Sequence, residues 1–145
     1  MSEPDTTRWT FLGQSCNSRY FEIEAGLLAA VPQVGARDDL ASARDNLAFQ
    51  HAYWRRHGRP GAAVVFFDNM VSQNKDARHV YASESDAALM LGTALVGGTM
   101  LSRAMGSFFL GLTRPRTPVK MFKDTGAALG WCRGLLAGAA QQVAR

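Results

Sequence analysis

Three groups of residues have the types and spacing to do chemistry. The first is "LVGGTMLSR", where Gly97, Gly98 and Thr99 stand between an apolar run and a helical pattern. Glycines at such a junction let backbone N–H groups approach an anion, and a helix N-terminus adds partial positive charge. The run lacks both the lysine spacing of a phosphate-binding loop and a GxGxxG pattern, so it points to simple anion contact, or to a tight turn. The second is the Met- and Phe-rich stretch from Thr99 to Leu112, in which Met100, Met105 and Phe109 suit an adaptable apolar site for a small ligand or a lipid. The third is Leu110 with Arg114, Arg116 and Lys120, around a corner made by Pro115 and Pro118, expected to be exposed to a partner.

Other chemistry finds little support. Cys16 and Cys132 have no CxxC or Cys/His spacing, and His51, His57 and His79 fall at no metal-ligand spacing, so neither a metal nor a cofactor is expected. Asp68 ends an apolar run where a base or a cation ligand would stand, but it has no paired carboxylate and no nucleophile with a base beside it. The sequence therefore predicts a protein that is not an enzyme. Residues 1–72 carry seven Lys/Arg against eight acids, whereas residues 73–145 carry nine against four. That basic half can attract acidic partners. Yet Phe108, Phe109, Phe122 and Trp131 all fit inward stripes, leaving the cations without stacking partners, which disfavours nucleic acid.

The elements that must position these groups follow from periodicity. At 145 residues, 47% hydrophobic and 19% charged, the chain is read as one globular domain. No apolar run approaches the roughly 20 residues of a membrane span. The acidic and polar opening "MSEPDTTRW" is unlike a secretory leader, so a cytoplasmic location is expected. Residues 1–16 read as an extension, either a leading strand at Trp9, Phe11 and Leu12 or disorder, and 17–145 as the domain.

"RYFEIE" alternates as a strand, "AG" turns, and "LLAAV" returns, giving a hairpin. "GARDDLASARDNLAFQHAYWRRHG" reads as a helix capped by Asp38 or Asp39, with Leu40, Ala43, Leu47 and Trp54 inward and Gly58 as the stop. "GAAVVFF" is a strand buried on both faces. Ser72 is placed as the N-cap of the next helix, with Ala77, Val80 and Tyr81 inward. "MLGTALVGG" is a strand, and Met100, Leu101, Ala104, Met105, Phe108, Phe109 and Leu112 share one broad helical stripe, expected to face inward. "VKMF" is a last strand before a helix capped by Asp124 or Thr125. The pattern is α/β, with a mixed sheet of about five strands, an N-terminal hairpin and about four helices.

The buried strand leading to Asp68, the "SQNKDARHVYAS" helix and the segment "LSRAMGSFFLGLTRPRTPVKMFKDTGAALGWC" together resemble an uncharacterised branch of small bacterial STAS-type proteins, the fold of anti-sigma-factor antagonists. The resemblance covers about Tyr20 to Leu136. It implies a STAS-like domain acting as a non-catalytic regulatory module that docks a protein partner, including a second copy as a homodimer. It also implies that Ser72, at the place of the family's phosphorylated serine or threonine, is a switch. The local run "DNMVSQNKD" departs from the Asp-Ser-Ser/Thr-Gly pattern of that switch. The alternative is a small apolar ligand or lipid-binding domain built on helix 99–112, with membrane-surface contact as one version of it.

Overall fold

Short apolar runs joined by turn residues pair into a six-stranded mixed sheet with helices on both faces. The computed structural model describes the backbone of residues 3–112 and 115–144, and their side chains outside 108–112 and 143–144. In chain order the elements are β1 (Thr10–Gln14), β2 (Ser18–Glu24), β3 (Leu27–Pro32), β4 (Ala36–Asp38), α1 (Leu40–His57), β5 (Gly61–Phe66), β6 (Met70–Gln73), α2 (Lys75–Glu84), β7 (Met90–Val96), α3 (Met100–Leu112), β8 (Val119–Phe122) and α4 (Thr125–Ala144).

The main sheet runs β1-β2-β3-β5-β7-β8. β1, β2 and β3 are antiparallel neighbours, and β3, β5, β7 and β8 are parallel. Each parallel strand is thus added beside its predecessor. Alternation decides which side chains meet which helix. Ala62 and Val64 of β5 join Leu27, Ala29, Ala94 and Val96 against Ala128 and Cys132 of α4. Ala63 faces the other way with Leu28, toward Ala43, Leu47 and Trp54 of α1 and Ala77 and Val80 of α2. From Ala62 to Val64, β5 thus packs against helices on both faces, as its apolar run requires.

Helix ends follow local chemistry. Asp39 caps α1, its Oδ1 accepting from the Ser42 N–H at 2.9 Å while Ser42 Oγ accepts from the Asp39 N–H at 2.8 Å. Arg55, Arg56 and His57 occupy the last turn, and Gly58 at φ 82° donates to the Trp54 carbonyl. Asp124 caps α4 through the Ala127 N–H. Inside α4, Gly134 is exposed, and a Cβ there would meet nothing within 4 Å. Gly134→Ala is expected to stabilise the fold by about 0.5–1 kcal/mol, because alanine loses less backbone entropy in a helix. A urea midpoint at or below that of the native chain would contradict this.

The structure corrects several expectations. The main sheet has six strands, since the leading segment pairs with β2 as the edge strand β1, so the sheet begins before residue 17. A separate parallel pair, β4 and β6, adds two more strands. Ser72 lies within β6, opposite Arg37, and is not a helix cap. That role belongs to Asn74, whose Oδ1 accepts from the Ala77 N–H at 2.9 Å. Leu40 is 40% exposed instead of inward.

The largest correction concerns α3. Met100 is 91% and Leu101 57% exposed, and Ala104 is exposed too, while Ser102 and Gly106 are buried. Ser102 and Gly106 turn inward because the neighbouring groups approach too closely there for larger side chains. A Cβ on Gly106 would stand 2.7 Å from Met121 Cε and 3.0 Å from Phe67 Cζ. The side chains of Phe108, Phe109, Leu110 and Leu112 lie outside the described residues, as does Arg114.

Candidate functional site

Between the α1/α2 side of the sheet and helix α3 lies a cleft of about 100 Å³. Its floor is Tyr20, Ala30, Val65, Thr93 and Leu95, its walls include Leu47, Asn46 and Gln50 of α1 and Tyr81 of α2, and Met105 and Gly106 of α3 close one side. β5 and β7 are interior strands, yet Val65, Thr93 and Leu95 are each half-buried and open into the cleft. The apolar part of the lining suits the body of a small molecule, and the polar part can orient it.

The polar wall is a connected network. Tyr20 donates its hydroxyl to Asn46 Oδ1 at 2.9 Å and accepts from Gln50 Nε2 at 3.4 Å. Asn46 Nδ2 donates to Tyr81 at 3.1 Å and to Asn17 Oδ1 at 3.0 Å. Tyr81 donates to Asp38 Oδ2 at 2.8 Å, Gln73 Nε2 donates to the same oxygen at 3.1 Å, and Ser42 Oγ donates to Asp38 Oδ1 at 2.5 Å. Burial, then the negative charge of Asp38, pushes the Tyr81 hydroxyl well above the usual tyrosine range, and burial raises Tyr20 as well. Both phenols are therefore neutral hydrogen-bonding groups at physiological pH.

None of this network was singled out from the sequence. The available signal was Ser42, Asn46 and Gln50 at i, i+4 and i+8, a polar row on the buried face of an otherwise amphipathic helix.

The residues that were singled out are dispersed. Gly97, Gly98 and Thr99 do come together at the start of α3, but the anion in their cradle is internal. Asp68 Oδ1 accepts from the Gly98 N–H at 2.9 Å, the Thr99 N–H at 3.2 Å and Ser102 Oγ at 2.5 Å. Burial pushes this carboxyl up, but the hydrogen bonds from Ser102, Gly98 and Thr99 outweigh it and hold the group below its ordinary value of 3.8. A depression of about 230 Å³ beside it, at the C-terminal ends of β5 and β7, is rimmed by Glu3, Asp68 and Asp124 against one basic residue, Lys123. That charge balance opposes an external phosphate.

Met105 lines the cleft, whereas Met100 stands in solvent, so the two methionines do not share a site. Arg116 and Lys120 are exposed, as expected, with Lys120 Nζ 5.5 Å from the Phe122 ring centroid. Ser72 is half-buried in its strand, away from the helix N–H groups that would receive a phosphate there. Among the described residues no group of three or more His, Cys, Asp or Glu side chains is arranged to hold a metal ion, and no helix is long and apolar enough to cross a membrane.

A family model described as "Domain of unknown function (DUF7793)" matches residues 21–136. Comparison with curated proteins and with solved structures gave no match. The matched span begins within β2 and ends within α4, and so contains the whole cleft floor except Tyr20.

Proposed function

The chain belongs to the DUF7793 family, and from that footing we propose that it is a non-catalytic regulatory module of STAS-like fold that takes a small, largely apolar molecule into the cleft beside α3. The observation that carries this reading is the incomplete cover of Val65, Thr93 and Leu95 on interior strands. A domain core is normally packed to crystal-like density, and leaving apolar floor uncovered costs stability unless something fills it. The volume of about 100 Å³ is somewhat below the roughly 150 Å³ of an engineered cavity that accepts benzene. A short aliphatic chain or one small ring with its edge toward the opening matches that size. The order of parallel βα units after an N-terminal hairpin supports the STAS-like part of the reading.

α3 gives the occupant a route to a partner. Met105 and Gly106 line the cleft, while Met100 and Leu101, one to two turns earlier, face solvent. Filling the cleft favours one seating of the helix and so alters the outer face. The test is titration of benzyl alcohol into the labelled protein, followed by amide NMR. Shifts centred on Val65, Thr93 and Leu95 are expected, and Thr93→Phe, which fills the floor, is expected to weaken them at least about tenfold. No shifts in the native chain, or undiminished shifts in Thr93→Phe, would refute the reading.

A second reading rests on the outer face itself: a protein partner, or a second copy of the chain, docks on Met100 and Leu101, in the basic half of the chain that includes Arg116 and Lys120. It requires reproducible capture of one partner, or a dimer by light scattering, that Leu101→Glu abolishes. A monomer with no such partner rejects it.

A further inference from the structure

The polar wall of the cleft specifies more than a polar head. Asp38 is 3% exposed and stands in the wall, yet all three donors to its carboxylate, Ser42, Gln73 and Tyr81, are neutral. Among the described residues no salt bridge reaches it. A buried carboxylate without a counter-ion is costly, and neutral donors offset only part of that cost. Two turns further along α1 from Ser42, Gln50 is 5% exposed and spends its Nε2 on Tyr20, while no described donor reaches its Oε1. The unspent capacity of this wall is thus for accepting hydrogen bonds and for balancing negative charge. Opposite it lie Ala30, Val65, Leu95 and Met105.

We infer that the cleft selects a small primary amine with an apolar body, its ammonium directed to Asp38 and its body laid on Val65 and Leu95. An ammonium brings donors and the positive charge that Ser42, Gln73 and Tyr81 do not supply to the Asp38 carboxylate. An alcohol of the same shape supplies one donor and no charge. A carboxylate or phosphate head meets repulsion from Asp38 and no cation in the wall. The inference rests on the proposal that the cleft is a binding site.

Benzylamine, benzyl alcohol and benzoate, similar in size and different in head group, separate the two ideas when titrated into the full chain at neutral pH. Benzylamine is expected to bind at least about tenfold more tightly than benzyl alcohol, with benzoate weakest. Asp38→Asn is expected to bring benzylamine down to the level of benzyl alcohol while changing benzyl alcohol less than about threefold. Equal affinities of amine and alcohol, or an Asp38→Asn protein that keeps the preference, overturn the inference and leave the cleft standing. Binding of none of the three overturns both. Should Asp38→Asn fail to fold, the ranking of the three compounds on the native chain still decides.

Discussion

Replacing Gly61 with alanine is expected to destabilise the protein by about 3 kcal/mol or more, the largest effect of any single methyl group in the described structure. Gly61 begins β5 directly beneath the β2–β3 turn, and a Cβ there would overlap both the Gly26 carbonyl oxygen and Trp54 Nε1. Neither can retreat cheaply. The Gly26 carbonyl already accepts from the Ala62 N–H at 3.0 Å and from Trp54 Nε1 at 3.2 Å. The Gly26 N–H donates to the Tyr53 hydroxyl, which in turn donates to Glu22. Trp54 is fully buried at the centre of the α1 core. Alanine must therefore displace the indole and orphan a buried hydrogen bond, or part β3 from β5. A urea midpoint lowered by more than about 1 M is the expected readout, and a shift within error of zero would contradict this account.

Asp68→Ala is expected to cost about 1–2 kcal/mol and to loosen α3 in particular. The carboxylate serves two backbone N–H groups and one hydroxyl at the start of that helix, and alanine leaves the two N–H groups to water and the buried Ser102 hydroxyl to the Thr99 carbonyl at 3.1 Å. The pH dependence gives a sharper check. The folded value of Asp68 is depressed, so its contribution is fully present above the unfolded value near 3.8 and is lost as pH falls through the lower folded value. The stability gap between native chain and Asp68→Ala should thus be constant near neutrality and narrow below about pH 4. Hydrogen exchange should show the added opening in α3 before it appears in α1. A gap that widens in acid would exclude the capping explanation.

The sequence made the main elements legible wherever one physical demand dominated. Unbroken apolar runs gave β3 and β5, the Asp39 and Asp124 caps and Gly58 bounded α1 and opened α4, and the alternating start of β2 predicted its hairpin with β3. β4 and β6 escaped because three or four residues are too few to show a period, and Ser72 looked like a cap while the chain was still extended. On α3 the helix was legible, whereas the exposure of Met100, Leu101 and Ala104 was not. Direction depended on Phe67, Asp68 and Met121, which approach Ser102 and Gly106 from two other parts of the chain. The cleft was hidden for the same reason, since Asp38, Gln50, Tyr81 and Thr93 become neighbours only through the sheet. Only the polar row on α1 was there to be read.

The lopsided cover of the sheet has a kinetic consequence. One face is built by helices threaded between strands, whereas the other is sealed mainly by α4, which follows the last strand and connects onward to none of the described ones. Its release breaks no ladder, so α4 can open and close as a unit while the remaining helices keep their strands. Cys132 records each opening. The thiol is fully buried, 3.9 Å from the Ala63 carbonyl, and burial pushes it up to about 11, so it is inert until α4 lifts. With exposed Cys16 replaced by serine, the labelling rate of Cys132 becomes a clock for the undocking of one helix from a standing sheet.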